Sequence, residues 1–380
     1  MKNKLLAVVA VAVVVAAGGA YVFFGGSDEW NPGYTNYVVD AEGRTVYYPD
    51  EVERVAAIGS SALRLYCYAG DVNLIAGIES QEKEWGDYWG RPYMLANEEL
   101  FLSLETNVGL GGPSETPEKE TLISADLDVL FITYPLNKTE LDNLQNSIRT
   151  SVIKLDHGNN PPFDEAIYKS LRIVGEVCGT EDRAEASIDL ITGIQEEFHE
   201  FTKDIPENKR IKAYVGGLSK RGQQGLTSTT SAYSLFDALN IVNVYKNDMS
   251  DEIHAIDGEA LIELAPDYII LDEGGIDNVV ADFKKDPTLV NQLDAFDADN
   301  VYVIARSNWY ANNIDVILLN GYYIASVLYP DYFDISLEEK YNEITSVLLG
   351  AEIYEEFIKG NYPDGPERIC FVTWDEIEKD

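Results

Sequence analysis

Apolar residues recur at spacings of three and four between Thr180 and Pro206, where Ala184, Ile188, Ile191, Ile194, Phe198, Phe201 and Ile205 form one stripe. Thr180 follows Gly179 and is placed to cap a helix there. Glu181 and Asp182 put acid in its first turn, and Pro206 stops it. Such a helix is roughly 37 Å long, about the width of a small domain. A second helix, Asp164 to Cys178, precedes it with Ile167, Leu171, Val174 and Cys178 as its stripe. The pattern predicts a rigid spine between two lobes.

Short apolar runs alternate with helical ones on both sides of the spine. Before it, "YVVDAEGRTVYYP" reads as a hairpin about Glu42–Gly43, and "RVAAIG" as a buried strand. Ser60 or Ser61 caps a helix from Ala62 to Tyr68, and "VNLIAGI" returns as a strand. A long aromatic loop, Glu79 to Pro92, leads toward the buried strands "DVLFITYP" and "SVIKLDHG". After the spine, "RIKAYVGG" runs into a glycine-rich loop. The helix Tyr233 to Leu239 and the strands "DYIILDE" and "NVYVIAR" repeat the alternation. Helices Ile314 to Tyr329 and Leu337 to Leu349 close the chain, the last opening on the capping box Ser336–Glu339.

One unit occurs twice. "KETLISADLDVLFI" and "GEALIELAPDYIIL" align Glu120 with Glu259, Leu122 with Leu261, Ile123 with Ile262 and Asp128 with Asp267. In each copy a glutamate opens a short helix eight residues before the aspartate that begins a buried strand. Two copies, one in each half, argue for two similar α/β lobes with parallel sheets joined by one long helix. The expected organisation is an N-terminal segment at 1–26, a linker at 27–36, a lobe at 37–161, connecting helices at 162–206 and a second lobe at 207–380.

Lys2 and Lys4 precede an unbroken apolar run from Leu5 to Phe24, followed by Asp28 and Glu29. Twenty such residues suit an uncleaved membrane anchor with the basic flank inside. A cleaved signal sequence, ending near Ala16–Ala17–Gly18, is the alternative. Either way the remainder is exported. With 46% apolar residues the chain folds, and its net charge of −38 makes nucleic acid a poor partner. That charge suits a hydrated surface in a salty exterior, and secondarily a preference for cationic ligands. Cys67, Cys178 and Cys370 match no zinc or iron–sulfur spacing, and Cys67 and Cys178 fall on apolar helical faces, where buried thiols fit better than a disulfide framework.

The order and spacing of these elements resemble the substrate-binding proteins of iron-chelate ABC transporters, the family that also serves cobalamin and haem. The resemblance runs from about Tyr37 to Ile358. It is carried by "VVDAEGRTVYYPDEVERVAAIGSSALRLYCYAGDVNLIAGIE", by "RIVGEVCGTEDRAEASIDLI" on the spine, and by "YVGGLSKRGQQGLTSTTSAYSLFDALNIVNV" with "SNWYANNIDVILLNGYYIASVLYPDYF" beyond it. It implies two lobes on a helical backbone, a monomer, and partnership with a permease and its ATPase on the outer face of the membrane. It also implies that Glu120 and Glu259, one at the top of each lobe, engage arginines of the permease.

A ligand then belongs between the lobes, where loops leave the carboxyl ends of the strands. First-lobe candidates are Ser60, Ser61, Trp85, Tyr88, Trp89, Arg91, Tyr93 and Tyr134. Second-lobe candidates are Arg221, Gln224, Tyr233, Arg306, Trp309, Tyr310 and Asn312. Aromatic rings offer flat area to a macrocycle or catecholate, and arginines pair with the oxygens of a ferric chelate. No resident cofactor or metal is expected, because His157, His199 and His254 form no ligand cluster. "GGLSKRG" is not a nucleophile elbow, so an enzyme is not expected. An oxoanion such as molybdate or tungstate, suited by Arg91, Arg221 and Arg306, remains the alternative ligand. A surface sensor without a transporter remains the alternative role.

Overall fold

The computed structural model describes residues 30, 32–84, 90–112, 116–218, 225–247, 252–285, 287–359 and 368–378. The N-terminal apolar run and the candidates Trp85, Tyr88, Trp89, Arg221 and Gln224 lie outside these residues. Strands β1 (Asn36–Val39) and β2 (Thr45–Tyr48) form the antiparallel hairpin, with Tyr37 opposite Tyr47 and Gly43 at φ 71° in the connecting turn. Strands β3 (Val55–Ile58), β4 (Val129–Ile132) and β5 (Ser151–Lys154) make the parallel sheet of the first lobe, in that order.

The second lobe holds β6 (Lys212–Gly216), β7 (Ser228–Thr229), β8 (Val242–Asn243), β9 (His254–Ala255), β10 (Tyr268–Asp272), β11 (Val301–Ile304) and β12 (Val372–Thr373). Its main sheet runs β12-β11-β10-β6-β8, parallel except for β12, while β7 and β9 pair separately.

Both parallel sheets are apolar on both faces because each is sandwiched between helices. Val55, Ala57, Val129 and Phe131 face a central core that the spine shares, and so do Ala213, Val215 and Ile270 of the other sheet. The alternate residues face outer layers. Ala56, Ile58, Leu130 and Ile132 meet Leu122, Leu141 and Leu144, whereas Tyr214, Ile269 and Leu271 meet Leu261, Val279 and Trp374. The central layer is therefore continuous through both lobes.

The spine helix is Glu181–Thr202, preceded by the helix Glu165–Cys178 and turned by Gly179 at φ 66°. Ala184, Ile188, Ile191, Ile194 and Phe198 are buried as the stripe requires, but Phe201 is 43% exposed. Thr180 occupies the N-cap position without capping through its side chain. Its hydroxyl instead donates to the Ala69 carbonyl at 2.6 Å. Ser187 donates to Tyr68 O and Arg183 to Cys67 O, both at 2.7 Å. The last carbonyls of the first-lobe helix Ala62–Ala69, which that helix cannot satisfy itself, thus receive donors from the spine.

Two local expectations are corrected. "VNLIAGI" is not a strand: Asp71 accepts from Asn73 N–H and folds Val72–Leu74 into a 3-10 turn, leaving a single bridge between Ile75 and Val55. Ser61 precedes the helix Ala62–Ala69 in a left-handed conformation and makes no side-chain cap. Its hydroxyl accepts from Arg64 instead, at 3.2 Å.

Candidate ligand-binding site

The carboxyl ends of the second-lobe strands converge on a cavity of about 100 Å³. Leu218 follows β6, Thr230, Tyr233 and Ser234 follow β7, Asp272 ends β10, and Asn308 and Asn312 follow β11. Asn159, Asn160 and Pro161, which leave the first lobe after β5, close its other side. Amides and hydroxyls dominate the polar wall. Asp272 is buried and accepts from Gly274 N–H at 2.7 Å. Burial, with Asp272 adding repulsion, pushes the Tyr233 hydroxyl far up, so it stays a neutral donor.

Beside the cavity, residues 306–313 form a tight turn. The Arg306 guanidinium lies 4.2 Å over the Trp309 ring. Tyr310 and Ala311 both take left-handed backbone, at φ 52° and 73°, and Trp309 N–H donates to Ala311 O at 3.1 Å. Asn308 donates to Asn312 Oδ1 at 3.2 Å.

This turn crosses to the first lobe. Arg64, fully buried on the helix Ala62–Ala69, donates from Nη2 to Trp309 O at 2.8 Å and from Nη1 to Tyr310 O at 3.2 Å. Its Nε donates to Asn313 Oδ1 at 2.8 Å. Asn313 Nδ2 in turn donates to Gly90 O at 2.9 Å. The Tyr310 hydroxyl donates to Glu79 Oε2 at 2.9 Å and accepts from Gly112 N–H at 3.0 Å. Glu79 Oε1 also accepts from the Tyr134 hydroxyl at 2.6 Å and from Gly59 N–H at 3.1 Å. Burial pushes the Glu79 carboxyl up to about 7 despite these donors, which pull the other way.

The structure gathers the sequence candidates into two groups. Tyr233 and Asn312 line the cavity, with Arg306, Trp309 and Tyr310 in the turn beside it, and Tyr134 joins Tyr310 through Glu79. Ser60 lends only its carbonyl, to Thr133, and Ser61 serves Arg64. Arg91 and Tyr93 point into the first lobe. Both are buried on the Glu82 carboxylate, at 2.5 Å and 2.8 Å, so in this structure they hold the lobe together and do not line the cavity. Sequence reasoning missed Arg64, Glu79, Asn313 and the lining residues Asn160, Thr230, Ser234 and Asn308. Arg64 had a signal: a lone charge inside the apolar run "ALRLYCYA".

Glu120 and Glu259 occupy matched places on exposed first turns of the helices Lys119–Ala125 and Gly258–Leu264. Among the described residues no helix is long and apolar enough to cross a membrane.

The chain belongs to the periplasmic binding protein family, whose model matches residues 96–307. It is thereby an extracytoplasmic, non-enzymatic receptor of the kind that works with an ABC permease and ATPase on small ligands. The fold is similar to a periplasmic solute binding protein from Veillonella parvula DSM 2008 (17% identity, 85% of this chain, 95% of that one, TM-score 0.66). It is also similar to the molybdate periplasmic binding protein MolA of Haemophilus influenzae, bound to molybdate (17%, 84% and 99%, 0.63). A third similar structure is the TroA-like periplasmic binding protein FepB from Veillonella parvula (18%, 83% and 97%, 0.59). No curated protein matches the chain.

Proposed function

We propose that this receptor captures a ferric-siderophore-type chelate between its lobes and delivers it to the permease. The observation that carries the reading is the Arg306–Trp309 stack in the turn whose Ser307, Asn308 and Asn312 line the amide-rich cavity. A flat indole next to a guanidinium suits a ligand with aromatic rings and anionic oxygens. Tyr233 and Asn312 line that cavity in this reading, and Tyr310 ties the turn to the first lobe. Trp85, Tyr88, Trp89, Arg221 and Gln224 stay candidates in this reading on their residue types alone. The run Leu5–Phe24 would tether the receptor to the outer membrane face.

Tryptophan-fluorescence titration of the chain from Trp30 onward, with ferric siderophores, haem, cobalamin, molybdate and tungstate, tests this. Saturable submicromolar quenching by one ferric chelate is the expected result. Saturation by an oxoanion alone would replace it with the second reading, which the small cavity and the fold shared with the molybdate-bound protein favour.

Glu120 and Glu259 are proposed to meet the permease, where exposed charges fix orientation and speed encounter. The double substitution Glu120→Ala and Glu259→Ala should cut import at least ten-fold and leave ligand affinity unchanged. Unchanged import would end the docking assignment.

A further inference from the structure

We infer that Arg64 and Glu79 of the first lobe are positioning residues for recognition: they hold the Trp309–Tyr310 turn of the second lobe in its ligand-facing shape. The inference rests on the proposed role of that turn and adds two residues that do not line the cavity.

The turn contains two successive non-glycine residues at positive φ, Tyr310 and Ala311. Side chains disfavour that backbone, which persists only where surroundings over-determine it. Besides the turn's own hydrogen bonds, part of those surroundings belongs to the other lobe. The planar fork of Arg64 takes the carbonyls of Trp309 and Tyr310 and the amide oxygen of Asn313 at once, while Ser61 and the Tyr93 ring face fix the fork from behind. Lysine, with one compact charge, cannot reproduce this geometry. Glu79 takes the tip of the same turn through the Tyr310 hydroxyl.

The groups facing Glu79 are few. Tyr134 and Gly59 donate from the ends of β4 and β3, and Tyr310 donates from the turn. Glu82, whose carboxylate is engaged by Arg91 and Tyr93, repels it, and Glu118 lies within reach of Tyr134. Burial raises this carboxyl to about 7, whereas the Tyr134 and Tyr310 hydroxyls and Gly59 N–H pull it down, so these donors bond the ionised form more strongly than the protonated one. The carboxyl's net contribution to folding is complete below the ordinary carboxylate range and is lost as pH rises through about 7, because an ionised group is then buried, while its hydrogen bond to Tyr310 gains. The bond that holds the turn thus changes strength near neutrality and tightens as Glu79 ionises.

Fluorine NMR of the full chain labelled with 5-fluorotryptophan tests this without any ligand. The Trp309 signal is assigned with Trp309→Phe. It should shift between pH 5.5 and 8.5 with a midpoint near 7, and in Glu79→Gln it should stay at the acid-limit position throughout. Arg64→Met should move or broaden it, and Arg64→Lys, the variant kept in case Arg64→Met does not fold, should do so as well. A native Trp309 signal indifferent to pH, or one that still titrates in Glu79→Gln, would overturn the role of Glu79. A native-like signal in a folded Arg64 variant would overturn that of Arg64. The ligand reading fails separately, in the fluorescence titration, so the two failures cannot be confused.

Discussion

The helix–strand unit of the first lobe, Lys119–Ala125 with β4, and that of the second, Gly258–Leu264 with β10, are built alike down to single hydrogen bonds. Leu122 and Leu261 are both buried, and each helix ends on a left-handed residue, Asp126 or Ala265. Asp128 N–H donates to Arg54 O, just before β3, and Asp267 N–H donates to Lys212 O, at the start of β6. The copies part company one residue past the sheet. Beyond β4 stand Thr133 and Tyr134, the latter on Glu79. At the matched places stand Asp272 and Glu273, the latter holding Arg306 N–H at 3.0 Å and Arg368. The lesson is that the scaffold of a lobe is repeated while the residues at its strand ends, where chemistry happens, are free to differ.

Among the described residues each lobe buries an arginine–glutamate pair, and breaking the two gives the largest effects. Arg91 and Glu82 are 0% and 3% exposed, and Arg368 and Glu273 are 2% and 8% exposed. Glu82→Ala strands a buried cation and should cost about 3–5 kcal/mol in a urea titration. Glu273→Ala should cost a similar amount and, unlike Glu82→Ala, also disturb the Arg306 backbone. A loss under about 1 kcal/mol for Glu82→Ala would mean that Arg91 finds water or another acceptor, and that the two lobes are not stabilised alike.

Glu79 gives the next effect, and it has a sign. Its carboxyl rises from 4.5 to about 7 on folding, so the protonated form is the stabilised one. The contribution is fully present below pH 4.5 and is lost as pH climbs through 7, at most about 3 kcal/mol in all. Comparing native protein with Glu79→Gln at pH 5 and pH 8 isolates it. The native chain should lose stability relative to the variant on going to pH 8, and a difference that does not change with pH would place the Glu79 carboxyl in its ordinary range.

What could be read in advance follows the same division. The spine, the parallel strands and the repeated unit were legible because burial imposes period: Ala184 to Phe198 on a helix, Val129 to Ile132 on a strand buried on both faces. The turn 306–313 stood out as a loop because its aromatic residues served no periodic face. Arg64, Glu79 and Asn313 were not, since their partners lie up to 249 residues away and no local pattern records such a pairing. Thr180 and Ser61 were misjudged for the same reason. Both sit at N-cap positions, yet their hydroxyls serve groups outside their own helices, Ala69 and Arg64, where tertiary partners outweigh the local cap.

The smallest effect tests how deep the repeat goes. Asp126 and Ala265 close matched helices at φ 51° and 43°, a conformation that glycine adopts freely and that aspartate tolerates better than alanine. Ala265→Gly should therefore raise stability by about 0.5–1 kcal/mol in thermal or urea unfolding, and Asp126→Gly by less. The ranking matters more than either value, because the two sites share backbone and differ only in the side chain that must bear it. If Asp126→Gly gained as much as Ala265→Gly, the aspartate would contribute nothing of its own to its cap. If Ala265→Gly lost stability, the left-handed closure would not be the feature the two lobes have in common, and their likeness would end at the buried leucines and the strand that follows.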